Sequence, residues 1–150
     1  MGYYDDIAEG YDSLHKDEQM KKLNIIKQEI KDGKILDVGC GTGFSLDTFN
    51  AVGMDPSIKL LKKSKRFVIN AVAEHLPFKD NSFDTVISVT AIQNFYDVKK
   101  GLEEIRRVGK SFALSVLKKS SRIAMIRKEI ENVFDIRKVI EEEKDLIFFA

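Results

Sequence analysis

Residues 35–43 read Ile-Leu-Asp-Val-Gly-Cys-Gly-Thr-Gly, a short apolar segment that runs into a loop with a glycine at every second position. A second short apolar segment, residues 51–55, ends on the acid Asp55. Apolar segments of this kind form buried parallel strands, and a glycine loop after the first strand lets the backbone approach a ligand closely. The pattern predicts a nucleoside-binding βαβ unit in which Asp55 accepts hydrogen bonds from ribose hydroxyl groups.

Asp37, which stands directly before the glycines, limits the choice of nucleoside. A dinucleotide or triphosphate site holds its anion on backbone N–H groups and a helix N-terminus at this point. A fixed carboxylate there opposes phosphate and favours a ligand that carries positive charge. An NAD site also prefers Gly-x-Gly-x-x-Gly, whose third glycine falls here on the bulky Phe44. The sequence therefore favours S-adenosylmethionine, with its ribose, ammonium and sulfonium groups, over NAD.

Three segments in order resemble the class I S-adenosylmethionine-dependent methyltransferases, in their small-molecule-type branch (methyltransferase type 11, UbiE-like). Residues 37–43 are similar to the family's first motif, Asp-x-Gly-x-Gly-x-Gly, and Asp55 to the acid that closes its second strand. Residues 73–78 and 81–87 resemble the segment that leads into the fourth strand. The resemblance implies a three-layer α/β/α sandwich around a seven-stranded, mostly parallel sheet of order 3-2-1-4-5-7-6 with an antiparallel last strand. It also implies methyl transfer, with S-adenosyl-L-methionine as cofactor and S-adenosyl-L-homocysteine as product.

Hydrophobic periodicity gives the expected elements. A helix over about 14–31 precedes the sheet, and Pro56 suits the first position of a later helix. The last two apolar segments are close enough to form an antiparallel hairpin. Strands are predicted at 34–38, 51–54, 66–69, 83–89 and 111–117, helices up to about 49, over 56–63 and around 102–108 and 123–133, and the hairpin at about 134–141 and 145–149.

Length and composition limit the organisation. With 150 residues, 43% of them hydrophobic, the chain is predicted to form one domain, with a lid and helix at about 1–31 and a Rossmann-like core at about 34–150. The charged residues nearly cancel, at +1, so net charge gives no support for RNA as a partner. A single cysteine is typical of a cytoplasmic protein, no apolar run approaches the ~20 residues of a membrane span, and the two histidines lack the spacing of metal ligands.

The resemblance assigns roles in the cofactor site. Asp37 holds the methionine part, the loop backbone packs beside it, and Asp55 binds the ribose. Val72 stands where relatives have the Asp that receives the adenine amino group, so a backbone carbonyl, Glu74 or a water takes that contact. Cys40 reads as a small buried residue rather than a nucleophile. The predicted cofactor-binding residues are Tyr11, Asp37, Gly39, Cys40, Gly41, Asp55, Pro56, Ala73, Glu74 and Thr90.

The acceptor side is less determined. Tyr4 and Tyr11 belong to an N-terminal aromatic segment that either folds over the cofactor or packs the first helix on the sheet, and Asn94 and Tyr96 follow the fourth strand. No catalytic base can be named, and small molecule, tRNA and protein side chain stay open as acceptors. Since the chain has little room for a substrate domain, the pocket is expected from the N-terminal segment, from the loop after strand four, or from a small partner subunit or a homodimer.

Other functions stay open alongside methyl transfer. A non-catalytic S-adenosylmethionine-binding subunit that regulates or stabilises a partner is the alternative, whereas Asp37 and Phe44 disfavour an NAD-dependent oxidoreductase. The basic stretches at 59–66 and 118–122 are explained either by solvated helix faces or by an RNA-phosphate footprint.

Overall fold

A computed structural model describes residues 11–41, 43–64 and 66–150 of the chain, without the side chains of 11–15 and Phe44. Strands and helices alternate along most of this length, as the hydrophobic pattern predicted. The strands are β1 (Ile35–Val38), β2 (Val52–Asp55), β3 (Val68–Asn70), β4 (Phe83–Val89), β5 (Gly109–Leu117), β6 (Lys138–Glu141) and β7 (Asp145–Phe149). The helices are α1 (Tyr11–Glu29), α2 (Phe44–Phe49), α3 (Ile58–Leu61), α4 (Val98–Val108) and α5 (Ile123–Val133), and a 3₁₀ turn spans Ile92–Asn94.

Within the described residues, seven strands form one sheet in the order β3-β2-β1-β4-β5-β7-β6. β1 to β5 run parallel to one another, and β7 pairs antiparallel with both β5 and β6. This confirms the fold class and strand order implied by the resemblance. In such a sheet the carboxyl ends of β1, β2 and β4 meet at one edge, which is where an α/β fold binds its ligand.

Two apolar layers cover the faces of the sheet. On one face α1, α2 and α3 bury side chains such as Leu23, Leu46 and Leu61. On the other face α4 and α5 bury Leu102 and Ile130 among others. Because successive side chains of a strand point to opposite faces, β1 sends Ile35 and Asp37 towards α1 and α2, and Leu36 and Val38 towards α4 and α5.

Several predicted boundaries differ from the structure by two or more residues, and two of them have a clear structural cause. Pro56 does not begin a helix: Ser57 is the N-cap, and its hydroxyl accepts the backbone N–H of Leu60 at 3.4 Å, so α3 begins at Ile58. The penultimate strand begins at Lys138 rather than near 134. Phe134 instead caps α5 and packs its ring against Phe112, with 4.7 Å between the ring centroids.

None of the described helices is long and apolar enough to span a bilayer.

Candidate cofactor site

The glycine loop leaves β1 and turns back against the end of β2. The backbone N–H groups of Gly39 and Cys40 both donate to the carbonyl of Met54, at 2.8 and 3.0 Å. Gly39 has φ +85°, and a Cβ there would lie 2.5 Å from the Cβ of Ala91. Glycine is therefore required at this position for both its backbone conformation and its close contact with the segment after β4.

Asp37 is almost fully buried at the end of β1, beneath the glycine loop. The Ser45 hydroxyl, from the first turn of α2, donates to its Oδ2 at 2.5 Å, whereas Oδ1 has no hydrogen-bond partner among the described residues. Burial raises the pKa of Asp37 to about 7; the Ser45 hydrogen bond opposes this rise and the nearby Asp55 carboxylate adds to it. An unmatched carboxyl oxygen inside the protein favours a cation as its partner.

Asp55 ends β2 and is held by backbone groups on both sides. Its Oδ2 accepts the N–H of Gly41 at 2.9 Å, and its Oδ1 accepts the N–H of Ser57 at 2.8 Å. These bonds fix the plane of the carboxylate at the carboxyl edge of the sheet. A carboxylate oxygen accepts more than one hydrogen bond, so this geometry is compatible with the vicinal hydroxyl groups of a ribose.

A small cavity, about 20 Å³, lies beside Asp37 and Gly39. The helix α1 covers it with Gln19 and Leu23. This volume holds about one water molecule and opens to solvent, so it admits only a small group at the end of a larger ligand. We refer to α1 below as the lid helix.

The end of β4 is tied to the lid helix by a buried ionic network. Thr90, in a left-handed conformation with φ +53°, donates its hydroxyl to Asp145 Oδ2 at 2.6 Å. The ammonium of Lys22 donates to the same hydroxyl at 2.9 Å and lies 3.2 Å from Asp145 Oδ1. Thr90 is at the predicted place, but its hydroxyl serves the lid helix, which the sequence did not indicate.

Ala73 and Glu74 lie in the loop between β3 and β4 and have structural contacts. Ala73 packs in the core near Gly101, and Glu74 Oε2 accepts the backbone N–H of Asp97 at 2.9 Å, ahead of α4. One oxygen of Glu74 is thus already engaged in positioning the segment that precedes α4.

Cys40 is a buried packing residue, in agreement with the interpretation of the sequence. Its sulfur occupies the space above Gly53, where an added Cβ would come within 2.6 Å of Sγ. Burial and the carboxylates of Asp37 and Asp55 raise the pKa of the thiol, which opposes a nucleophilic role. Gly53 was missed in the sequence, although a glycine inside a strand often marks such a close approach.

The loop after β4 carries the predicted acceptor-side residues. Asn94 and Tyr96 are exposed, Tyr96 to 84%. Arg122 holds the backbone of this loop by donating from Nη1 to the carbonyls of Gln93 and Phe95, both at 2.9 Å. Tyr4 lies outside the described residues, as does the side chain of Tyr11, whose backbone begins α1.

Part of the positive charge in the two basic stretches is used internally. Arg66 pairs with Asp47, Lys118 pairs with Glu141, and Arg122 binds carbonyls as described above. This favours the structural explanation of these stretches over an RNA footprint, which stays a prediction. In the part of the chain that the structure describes, no three acidic, histidine or cysteine side chains are grouped so as to hold a metal ion.

Comparison with known proteins identifies the family. A family model described as "Methyltransferase domain" matches residues 36–117, which include the glycine loop, Asp55 and Thr90. The chain is 38% identical to an uncharacterised protein of Methanocaldococcus jannaschii over 93% of its own length and 54% of that protein. It is 32% identical to a demethylmenaquinone methyltransferase of Paenarthrobacter aurescens over 71% of its own length and 49% of that enzyme. The chain belongs to the class I methyltransferase family, in its type 11 branch.

This methyltransferase domain has S-adenosylmethionine as its cofactor, as the resemblance implied. The chain spans about half the length of each of the two curated relatives named above. Its fold is also that of a Haloferax volcanii protein described as a methyltransferase and solved in complex with the Trm112 methyltransferase activator. That structure superposes with a TM-score of 0.84 at 16% identity, over 99% of this chain and 97% of the other.

Sequence reasoning missed three residues around Asp37. Ser45 follows the glycine loop by two positions, and nothing in the local pattern sets it apart. Gln19 and Lys22 are polar residues on the helix face that Leu23 and Ile26 bury. A polar residue on an apolar helix face was the signal that could have revealed these two.

Proposed function

We propose that this methyltransferase transfers the methyl group of S-adenosylmethionine to an acceptor bound at the carboxyl ends of β1, β2 and β4. The observation that carries the proposal is the buried Asp37 carboxyl, whose Oδ1 lacks a partner among the described residues and which lines a cavity beside the glycine loop. The ammonium group of the methionine end supplies that partner. A phosphate cannot, because an acceptor-only carboxylate repels it.

The remaining contacts follow from the positions of the predicted residues. Asp55, oriented by two backbone N–H groups, accepts the ribose hydroxyls, with Pro56 beside them. The adenine lies along Ala73, and its amino group is bound by a backbone carbonyl, a water or the Oε1 of Glu74. Thr90 contributes by fixing the lid helix over the site through its hydroxyl rather than by contacting the cofactor with that group.

The reaction in this proposal is an in-line displacement. The bond from sulfur to the methyl carbon breaks as the bond from that carbon to the acceptor atom forms, and the electron pair of the broken bond stays on the sulfur of S-adenosylhomocysteine. The proton of the acceptor leaves to a base or to water. Because the sulfonium is already activated, the protein contributes mainly alignment and exclusion of water.

Calorimetric titration with S-adenosylmethionine, S-adenosylhomocysteine and NADH tests the cofactor site. The wild-type chain should bind the first two, and Asp55→Ala should weaken binding at least about a hundredfold, because two charge-assisted hydrogen bonds are lost. Asp47→Ala is the matched control, since Asp47 is an exposed acid in neighbouring α2. Tight binding of NADH, or equal affinities for Asp55→Ala and the control, would contradict the assignment.

The acceptor is proposed to bind at the loop after β4, near Asn94 and Tyr96, and Tyr4 and Tyr11 of the N-terminal segment are proposed as further contacts to it. The strong exposure of Tyr96 supports an aromatic contact to the acceptor there. Transfer of a radiolabelled methyl group into separated RNA, protein and metabolite fractions identifies the acceptor class. Tyr96→Ala should lower transfer without changing cofactor affinity, and loss of cofactor affinity in that variant would place Tyr96 elsewhere.

A small partner subunit is a further part of the proposal. The Haloferax volcanii protein with this fold was solved with an activator protein. In this chain β3 forms an open edge of the sheet next to Phe67, which is 70% exposed. Cofactor binding without methyl transfer to any fraction, restored when a partner is added, would support this requirement. Cofactor binding that never leads to transfer would favour the alternative of a non-catalytic cofactor-binding subunit.

A further inference from the structure

Gln19 is largely buried as a residue, although glutamine is usually exposed on a protein surface. Gln19 is 9% exposed and lines the same cavity as Asp37, approaching it from the lid helix. A carboxamide without a hydrogen-bond partner beside such a cavity is available to a ligand that binds there. None of the hydrogen bonds within the described residues uses this carboxamide.

The methionine end of the cofactor is a zwitterion, and it needs hydrogen-bond donors as well as an acid. Among the other side chains that line the cavity, Leu23 and Val89 are apolar, and the Ser45 hydroxyl donates to Asp37. The Cys40 thiol is directed to the carbonyl of Gly41, at 3.8 Å. Among the described side chains that line the cavity, the carboxamide N–H groups of Gln19 are thus the donors that remain.

The nearest cation on the lid helix is committed elsewhere. Lys22 follows Gln19 by one helical turn, but its ammonium is held by Thr90 and Asp145 and does not line the cavity. Breaking this buried pair would leave the Asp145 carboxylate unmatched, which is strongly unfavourable. Lys22 is therefore not the group that recognises a carboxylate in this cavity.

We propose that Gln19 is the residue of this chain that recognises the carboxylate of the cofactor's methionine end, while Asp37 takes its ammonium. This inference rests on the proposed function and adds a specificity determinant outside the matched residues 36–117. The carboxamide meets the methionine end of the cofactor from the lid helix, and Lys22 fixes that helix through Thr90 and Asp145.

Calorimetry with two ligands separates the roles of Gln19 and Asp37. S-adenosylmethionine carries both groups, and its decarboxylated form keeps the ammonium but lacks the carboxylate. Gln19→Leu should weaken the binding of S-adenosylmethionine between about tenfold and a hundredfold, as expected for a lost hydrogen bond to a charged group. The same variant should change the affinity for the decarboxylated form less than about twofold, within the scatter of a distant substitution. Asp37→Asn should weaken the binding of both ligands.

Two further variants serve as controls. Gln28→Leu makes the same change on an exposed position of the lid helix and should alter neither affinity. Gln19→Glu should weaken the binding of S-adenosylmethionine more than Gln19→Leu does, because the new carboxylate then faces the carboxylate of the ligand.

The outcomes are distinguishable. Equal weakening of both ligands by Gln19→Leu, or no weakening of either, overturns the role of Gln19 while the proposed function stands. A wild-type chain that binds neither ligand overturns the proposed function itself, and this inference with it.

Discussion

Burial of Asp37 makes its ionisation costly for the folded chain. Its pKa is raised from 3.8 to about 7, so the fold favours the protonated carboxyl. Below the unfolded pKa the group is protonated in both states and has no effect. As pH rises from about 4 to 7 the folded state becomes progressively less stable, and above 7 the full penalty remains. A residue that destabilises its own fold in this way is typical of a binding site rather than of a structural core.

Asp37→Asn should therefore increase the free energy of unfolding of the ligand-free chain at pH 8. The raised pKa sets an upper limit of about 4 kcal/mol, from a difference of about three pH units at 1.36 kcal/mol each. Urea denaturation at pH 5 and pH 8 measures it. The gain should be close to its full value at pH 8 and less than half of that at pH 5, and the exposed Asp47→Asn should show no gain at either pH. The same gain at both pH values would show that ionisation is not its cause.

Affinity for the cofactor should increase with pH over the same window. Only the ionised Asp37 attracts the ammonium of S-adenosylmethionine, and its ionised fraction increases about twentyfold between pH 5.5 and 7.5 for a pKa of about 7. Calorimetric titrations across this range should show the dissociation constant falling by about that factor. In Asp37→Asn the dissociation constant should be larger and nearly independent of pH. A pH dependence that persists in this variant would assign the titration to another group.

At the scale of elements, two ion pairs on the lid helix offer a direct comparison. Lys22 and Asp145 are almost fully buried, with 2% and 0% of their side chains exposed, and they join α1 to the start of β7. Lys21 and Glu143 make a similar contact one residue away, but are 64% and 67% exposed. The buried pair is held in low dielectric, whereas water and salt screen the exposed pair.

Lys22→Met should destabilise the fold by about 3–5 kcal/mol, because Asp145 is left as an uncompensated buried charge. Lys21→Met should cost less than about 1 kcal/mol. The double variant Lys22→Met with Asp145→Leu should recover much of the loss, since apolar residues of similar volume often replace a buried pair without harm. Chemical denaturation of the four chains measures these differences, and equal effects of the two lysines would rule out a special role for the buried pair.

At the scale of the whole molecule, the two edges of the sheet differ. β6 presents Lys138 and Glu141, which pair with Glu29 and Lys118. Charged side chains on an edge discourage pairing with another chain. β3, at the opposite edge, is three residues long and follows the exposed Phe67. The exposed Phe67 is therefore the feature that supports the proposed partner contact at this edge.

Two phenylalanine substitutions should show whether the side chain of Phe67 is free to contact a partner. Phe67→Ala should change the free energy of unfolding by less than about 0.5 kcal/mol, because the side chain already faces water. Phe149→Ala, in β7 between β5 and β6, should cost about 3–5 kcal/mol, because that side chain is fully buried. Thermal or chemical unfolding compares them. A large loss for Phe67→Ala would mean that this residue packs within the chain and is not available to a partner.

Much of the fold could be read from the sequence because its signals are local. β4 was predicted at Phe83–Val89, as observed, since a run of apolar and β-branched residues between turn residues is a local signal. The predicted start of α3 was wrong because Ser57 is the N-cap, and its backbone N–H donates to the Asp55 carboxylate across the turn at Pro56. The predicted start of β6 was wrong because Phe134 packs against Phe112, which lies about twenty residues earlier in the chain.

The sequence by itself determined the strand–glycine loop–strand pattern, the acids that end β1 and β2, and through them the family and its cofactor. These features depend on residue types at fixed spacing along the chain. Only the tertiary structure decided that Gln19 and Lys22 of the lid helix meet the carboxyl edge of the sheet, and that Asp37 Oδ1 is left without a partner among the described residues. The physical reason is that burial and hydrogen bonding are set by elements far apart in the sequence, whose side chains meet only once the sheet and its helices have packed.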